Sequence, residues 1–150
     1  MRRVNLVVVF SNNGKKVLMC KRRKDPYKGL INFVGGKCLA DEGGYKAAYR
    51  ELYEETGISE EEIDLIHFMD MDYYLDELTI EIYCGKLKAE KEPYGTENEL
   101  IWLDREQDYF NTEVFAGRGN LGHIMAMIDT DGIMQEVNYE GNKNNRYRKY

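Results

Sequence analysis

Residues 35–58 constrain the chain more than any other stretch. They begin with Gly35-Gly36-Lys37-Cys38, continue through Glu42-Gly43-Gly44, and end in Arg50-Glu51-Leu52-Tyr53-Glu54-Glu55-Thr56-Gly57-Ile58. This reads as a glycine loop leading into a helix whose last turns are crowded with acid. The helical period from 45 to 56 puts Tyr45, Ala48, Tyr49, Leu52 and Thr56 on one packing side. Glu51, Glu54 and Glu55 stand at i, i+3 and i+4 on an adjacent side, close enough to share one partner. Left alone, they repel one another and oppose the helix dipole, each term costing a few tenths of a kcal/mol to about one. A hard divalent cation reverses that sign, because it prefers oxygen ligands and also takes phosphate oxygens. The competing reading is a solvated acidic face.

The spacing decides between them. Gly36, five residues, Glu42, seven residues, then Arg50-Glu51-Leu52-Tyr53-Glu54-Glu55-Thr56-Gly57-Ile58 resembles the Nudix box at every defining position. Val34 stands where proline is common in that family, which relaxes the entry to the loop without touching the chemistry. The resemblance implies an α/β fold, a Nudix-type α/β/α sandwich with a central mixed β-sheet. It also implies metal-dependent hydrolysis of a diphosphate linkage in a nucleoside diphosphate joined to another group.

Length and charge agree with that expectation. At 150 residues the chain suits one domain with a sizeable core, expected over residues 1–141, with residues 142–150 a basic, frayed tail. A net charge of -6 argues against a nucleic-acid binder working by phosphate neutralisation, yet leaves room for one anionic substrate met by local positive charge. Cys20, Cys38 and Cys84 are odd in number and lack metal-ligand spacing, as reduced thiols of a cytoplasmic protein would. The opening apolar run is short and broken by Asn5, so it reads as a strand and not as a signal peptide or membrane span.

Along the chain, residues 4–10 and 16–20 predict a hairpin around Ser11-Asn12-Asn13-Gly14. Residues 30–34 form a short apolar segment delivering the chain to the glycines. Gly57 is placed to cap the helix. Residues 65–72 and 78–86 predict antiparallel strands, Thr79, Glu81 and Tyr83 alternating against Ile80, Ile82 and Cys84. Residues 100–103 predict another strand, after which Asp104 could cap a short helix. Residues 120–128 predict a helix after Gly117-Arg118-Gly119, and 134–139 a final strand.

By resemblance, Glu51, Glu54 and Glu55 hold Mg²⁺ (Mn²⁺ may substitute), joined by the Gly35 carbonyl and by a carboxylate from a later loop. That carboxylate is Glu97, with Glu99 the alternative. Arg50 orients a carboxylate, Glu42 fixes the loop or meets the metal, and Glu51 or Glu97 is the general base. Lys37 pairs with phosphate or with the glutamates. Arg22 and Arg23 end a strand aimed at the cleft, where a guanidinium fork suits phosphate. The likeness is strongest to MutT-type nucleoside triphosphate pyrophosphatases, whose substrate would be a nucleoside triphosphate or an oxidised purine nucleotide. In that picture Phe33 stacks on a base, or else is core, and Asn120 reads a purine edge, or else caps its helix. Tyr73 and Tyr74 keep a dinucleoside polyphosphate hydrolase in view, an ADP-sugar hydrolase is a further alternative, and a nucleotide-binding regulator without turnover is the non-enzymatic one. No nucleic acid or membrane partner is expected, and the chain would be a monomer or homodimer.

Overall fold

The computed structural model describes residues 1–95 and 97–132. The expected strand at 134–139 and the tail at 142–150 lie outside the described residues. Among the described residues six strands form one mixed sheet: β1 (Arg2–Phe10), β2 (Lys16–Lys21), β3 (Ile31–Phe33), β4 (Ile66–Tyr73), β5 (Leu78–Lys86) and β6 (Glu99–Asp104). Helix α1 (Gly44–Thr56) covers one face and α2 (Asn120–Asp131) the other, which makes the expected α/β/α sandwich.

The β1–β2 hairpin forms where the turn chemistry places it. Ser11 Oγ accepts from the Lys16 N–H at 3.0 Å, Asn13 Oδ1 accepts from the Lys15 N–H at 2.9 Å, and Gly14 takes a positive φ of 78°. Antiparallel pairing of β1 with β2 is short, covering Val9 with Leu18 and Phe10 with Val17. Beyond Leu18, β2 turns away and pairs along the same edge with β3, while its other edge pairs with β6 throughout. The edge of β1 thus vacated is taken by the chain after β3: Val34 bridges to Val7 and Lys37 to Val4. This lays the glycine loop along β1. On its other edge β1 pairs in parallel with β5 over its full length, Arg2 with Leu78 through Phe10 with Lys86.

Alternation on β1 explains the two cores. Val8 and Phe10 point to the α2 side with Phe33, Ile82, Leu121 and Ile124, whereas Val7 and Val9 point to the α1 side with Leu18, Ala48, Leu52 and Tyr83. Helix α1 ends as its sequence directs, Gly57 adopting the left-handed conformation (φ 76°) and donating its N–H to the Tyr53 carbonyl at 2.9 Å.

Several expectations need correction. Tyr45 is half exposed, only its ring edge meeting Tyr83 at 5.2 Å between centroids, and Ala47 takes the buried position beside Ala48. The Tyr45 and Tyr49 hydroxyls instead accept the N–H groups of His67 and Leu65, each at 2.9 Å, tying α1 to the start of β4. Asp104 caps no short helix: among the described residues the next helix after β6 is α2. The α1 face of β5 is buried although polar: Glu81 is 6 % exposed, because its carboxylate accepts from Arg3 Nε at 2.7 Å and from the Tyr83 hydroxyl at 2.9 Å. Among the described residues no helix is long and apolar enough to cross a membrane.

Leu52, fully buried between α1 and the sheet, anchors the acidic helix. Leu52→Ala is expected to destabilise the protein by about 2–5 kcal/mol through lost burial and the cavity left behind. Urea unfolding followed by circular dichroism checks this.

Candidate active site

The acidic helix, the glycine loop and the loop before β6 meet at one end of the sheet. Gly35 has φ 147°, and a Cβ there would stand 2.2 Å from the Asn5 carbonyl oxygen, so the position admits only glycine. Gly36 is needed for a different reason: a Cβ on it would fall 2.2 Å from Glu51 Oε2. The loop backbone and the Glu51 carboxylate are therefore in close contact. Asn5 holds the loop from below, its N–H donating to the Gly36 carbonyl at 2.8 Å and its Oδ1 accepting the Gly36 N–H at 3.0 Å. At the sequence level Asn5 showed only as an interruption in an apolar run. A polar residue there on the buried face of a strand was the available signal.

Arg50 organises the acids. Its Nε donates to Glu42 Oε2 at 2.6 Å and Nη2 to Glu42 Oε1 at 2.8 Å, a two-pronged pair. Nη1 reaches Glu51 at 3.0 Å and Glu54 at 3.1 Å, and Nη2 also meets the Lys37 carbonyl at 2.9 Å. Glu42 further accepts the Leu39 N–H at 3.1 Å. These bonds, Arg50 foremost, hold the Glu42 carboxyl down at about 2. In this state Glu42 fixes the loop and the arginine.

Glu51 and Glu55 lie under the opposite stress. Burial pushes the Glu51 carboxyl up, against the pull of Arg50 and with the help of the neighbouring Glu54 and Glu97 charges. Burial likewise pushes Glu55 up to about 7, opposed by the Gly35 N–H, which donates to it at 3.3 Å, and by Arg22, and reinforced by Glu51 and Glu97. Glu51 and Glu55 thus lie beside the Gly35–Gly36 backbone, and the Glu97 charge from a second segment acts on both. As the side chains stand, no group of three acids, histidines or cysteines among the described residues is closed into a cage. The donor set nevertheless fits a hard divalent cation: oxygen donors, half-buried, short of positive charge and flanked by a backbone kept bare of side chains. Glu51, Glu55 and Glu97 could hold such an ion, with Glu54, which is exposed and held only by Arg50, able to turn toward it.

The remaining expected residues divide. Arg22 is half-buried and close enough for its charge to act on Glu55, although its Nε is engaged by the Pro26 carbonyl at 2.7 Å. Arg23 is exposed, and its backbone N–H is held by Asn98 Oδ1 at 3.1 Å. Lys37 is exposed beside the glycines. Glu99 begins β6 opposite Lys21, whereas the Glu97 charge is felt by both Glu51 and Glu55. Phe33 is 2 % exposed in the core on the α2 side, which corrects the stacking role: its ring offers no face to a base. Asn120 is the first residue of α2, not its cap. Gly119 holds the cap position in the left-handed conformation, and the Asn120 amide donates to the Tyr73 hydroxyl at the end of β4.

Fold and site together define a class. Residues 1–113 match the family model described as NUDIX domain, and the chain belongs to the Nudix family. It carries the intact box of a family whose hydrolases generally work with divalent metal ions. The chain is 31 % identical over 99 residues to the methanol dehydrogenase activator of Bacillus methanolicus, covering 65 % of this chain and 53 % of that protein. It thus spans about half the length of that curated relative. Among solved structures it is similar to the dihydroneopterin triphosphate pyrophosphohydrolase of Escherichia coli, with 25 % identity, a TM-score of 0.66, and 85 % of this chain and 95 % of that one covered. A Caenorhabditis elegans Ap4A hydrolase shares the fold at 18 % identity with a TM-score of 0.65, over 85 % of this chain and 98 % of that one.

The depressed Glu42 carboxyl has a signed consequence. Its contribution to stability is complete above the ordinary value of 4.5 and is lost as pH falls from there toward about 2. Glu42→Gln is expected to be less stable than wild type at pH 7, with the difference shrinking as pH falls through that window. Urea unfolding at a series of pH values measures it.

Proposed function

We propose that the chain is a Mg²⁺-dependent cytoplasmic hydrolase that cleaves a diphosphate linkage in a nucleoside triphosphate or an oxidised purine nucleotide. The observation that carries this reading is the shared field of Glu51, Glu55 and Glu97 against the Gly35–Gly36 backbone, with the Arg22 charge acting on the same spot. A bound divalent ion would offset the negative charge of the diphosphate and make an attacking water more acidic. The protein's own residues do the rest. Arg22 and Lys37 draw the phosphate chain to the glycine loop, and Arg50 keeps the helical acids from turning away. Water attacks a phosphorus, the bridging P–O bond breaks, and the proton of the water passes to a carboxylate. Glu97 suits that task best, because it is exposed and free to turn, whereas Glu51 is tied to Arg50.

Asn120 and Tyr73 make the base-reading pair of this proposal. Their amide and hydroxyl are joined at the meeting of α2 and β4, on the same side of the sheet as partly buried Leu6, Met71 and Ile80. An amide with both a donor and an acceptor can read a purine edge, and the tyrosine fixes which way it faces. Three free cysteines, two of them buried, suit a reducing compartment.

The deciding assay is release of phosphate or pyrophosphate from a panel of nucleoside triphosphates, dinucleoside polyphosphates and ADP-sugars with Mg²⁺. Glu54→Gln and Glu55→Gln are each expected to lower turnover more than about a hundredfold. In metal-free protein at pH 8, Glu55→Gln is also expected to raise stability, on the order of 1 kcal/mol. The sign follows from a folded-state value of about 7 above the ordinary 4.5: the penalty of the buried carboxylate grows as pH rises from 4.5 and is complete above about 7. Equal release by wild type and both variants would point to a non-catalytic nucleotide binder. Asn120→Ala is expected to change the proportions in which different nucleobases are hydrolysed while leaving metal uptake unchanged, read from the same panel and from Mn²⁺ titration.

A further inference from the structure

Asn5 is 1 % exposed on the α1 side of β1, the face that Val7 and Val9 line with apolar side chains. A buried amide is costly unless bonded, and nearly every bond Asn5 makes on this face goes to the glycine loop. Its N–H donates to the Gly36 carbonyl (2.8 Å), its Oδ1 accepts the Gly36 N–H (3.0 Å), and its Nδ2 faces Cys38 Sγ at 3.7 Å. Its carbonyl oxygen lies where a Cβ on Gly35 would collide.

The consequence concerns one peptide unit. Gly35 C=O and Gly36 N–H belong to the same planar trans amide and point in opposite directions. Glycine on both sides leaves that unit little steric resistance to turning over. If it turned, Gly36 N–H would exchange places with the Gly35 carbonyl. Holding the N–H on Asn5 therefore fixes the carbonyl facing away from the strand. We infer that Asn5 is a positioning residue that locks the Gly35–Gly36 peptide so that the Gly35 carbonyl is presented to the acidic cleft. This rests on the proposed function, in which that carbonyl and the nearby carboxylates serve one cation.

Amide hydrogen exchange of the metal-free protein tests the lock without any catalysis, and Mn²⁺ titration of the same samples tests its purpose. In Asn5→Leu the Gly36 amide is expected to exchange about tenfold faster, the size of effect of one lost hydrogen bond, with β5 amides unchanged. Mn²⁺ affinity is expected to fall about fivefold or more, and kcat to fall more than KM rises. Asn5→Asp keeps the acceptor and is expected to preserve Gly36 protection and Mn²⁺ affinity within about threefold. Wild-type protection and Mn²⁺ affinity in Asn5→Leu would overturn the inference. Should that variant not fold, loss of Gly36 protection in Asn5→Asp would overturn it instead. If wild type takes up no Mn²⁺, the proposed function fails, and Gly36 exchange alone still decides whether Asn5 holds the peptide.

Discussion

The guanidinium of Arg50 is the contact on which the rest of the site depends. Its bonds join three segments that are separate in sequence: the loop at Lys37, the pre-helical Glu42, and the helical pair Glu51 and Glu54. Without that charge, three glutamates within two turns would repel one another and the helix dipole. With it, the acidic face is stable enough to persist while Glu55 and part of Glu51 remain short of a counter-charge. The two conditions are complementary. Arg50 meets the acids nearest the helix start, and the unmet demand lies beside the glycines.

That demand has a fixed address because β1 carries the loop. The departure of β2 beyond Leu18 frees one edge of β1, and the chain after β3 occupies it. Gly35 is required by the strand beneath and Gly36 by the glutamate above, so the two glycines answer to different neighbours. A side chain at either would break the contact between backbone and acid.

Much of this was legible in the residues. The helix, its glycine stop and its acidic face follow from periodicity and spacing, and the first hairpin from its turn residues. What could not be read, beyond the two hairpins, is which strands are neighbours. Alternation assigns β1 and β5 their faces but says nothing of their parallel pairing. For the same reason alternation puts Glu81 on one face of β5 without revealing Arg3 on the adjacent strand, whose charge lets it be buried. Phe33 illustrates the limit at the site: an aromatic before two glycines suits a stacking platform or a core, and only the position of α2 selects the core. Asn120 likewise has the chemistry of a cap, but Gly119 takes that place and frees its amide for Tyr73.

The parallel pairing of β1 with β5 also governs when the site can exist. Residues 2–10 are made first, yet one whole edge of the strand they form is paired by residues 78–86. Closing so long a loop costs chain entropy before it returns any contact, and topologies of that kind fold slowly. On a ribosome, the loop and the acidic helix emerge before the strand that secures their platform. The acidic end of this molecule is therefore a late product of folding, although its signature lies in the first half of the chain.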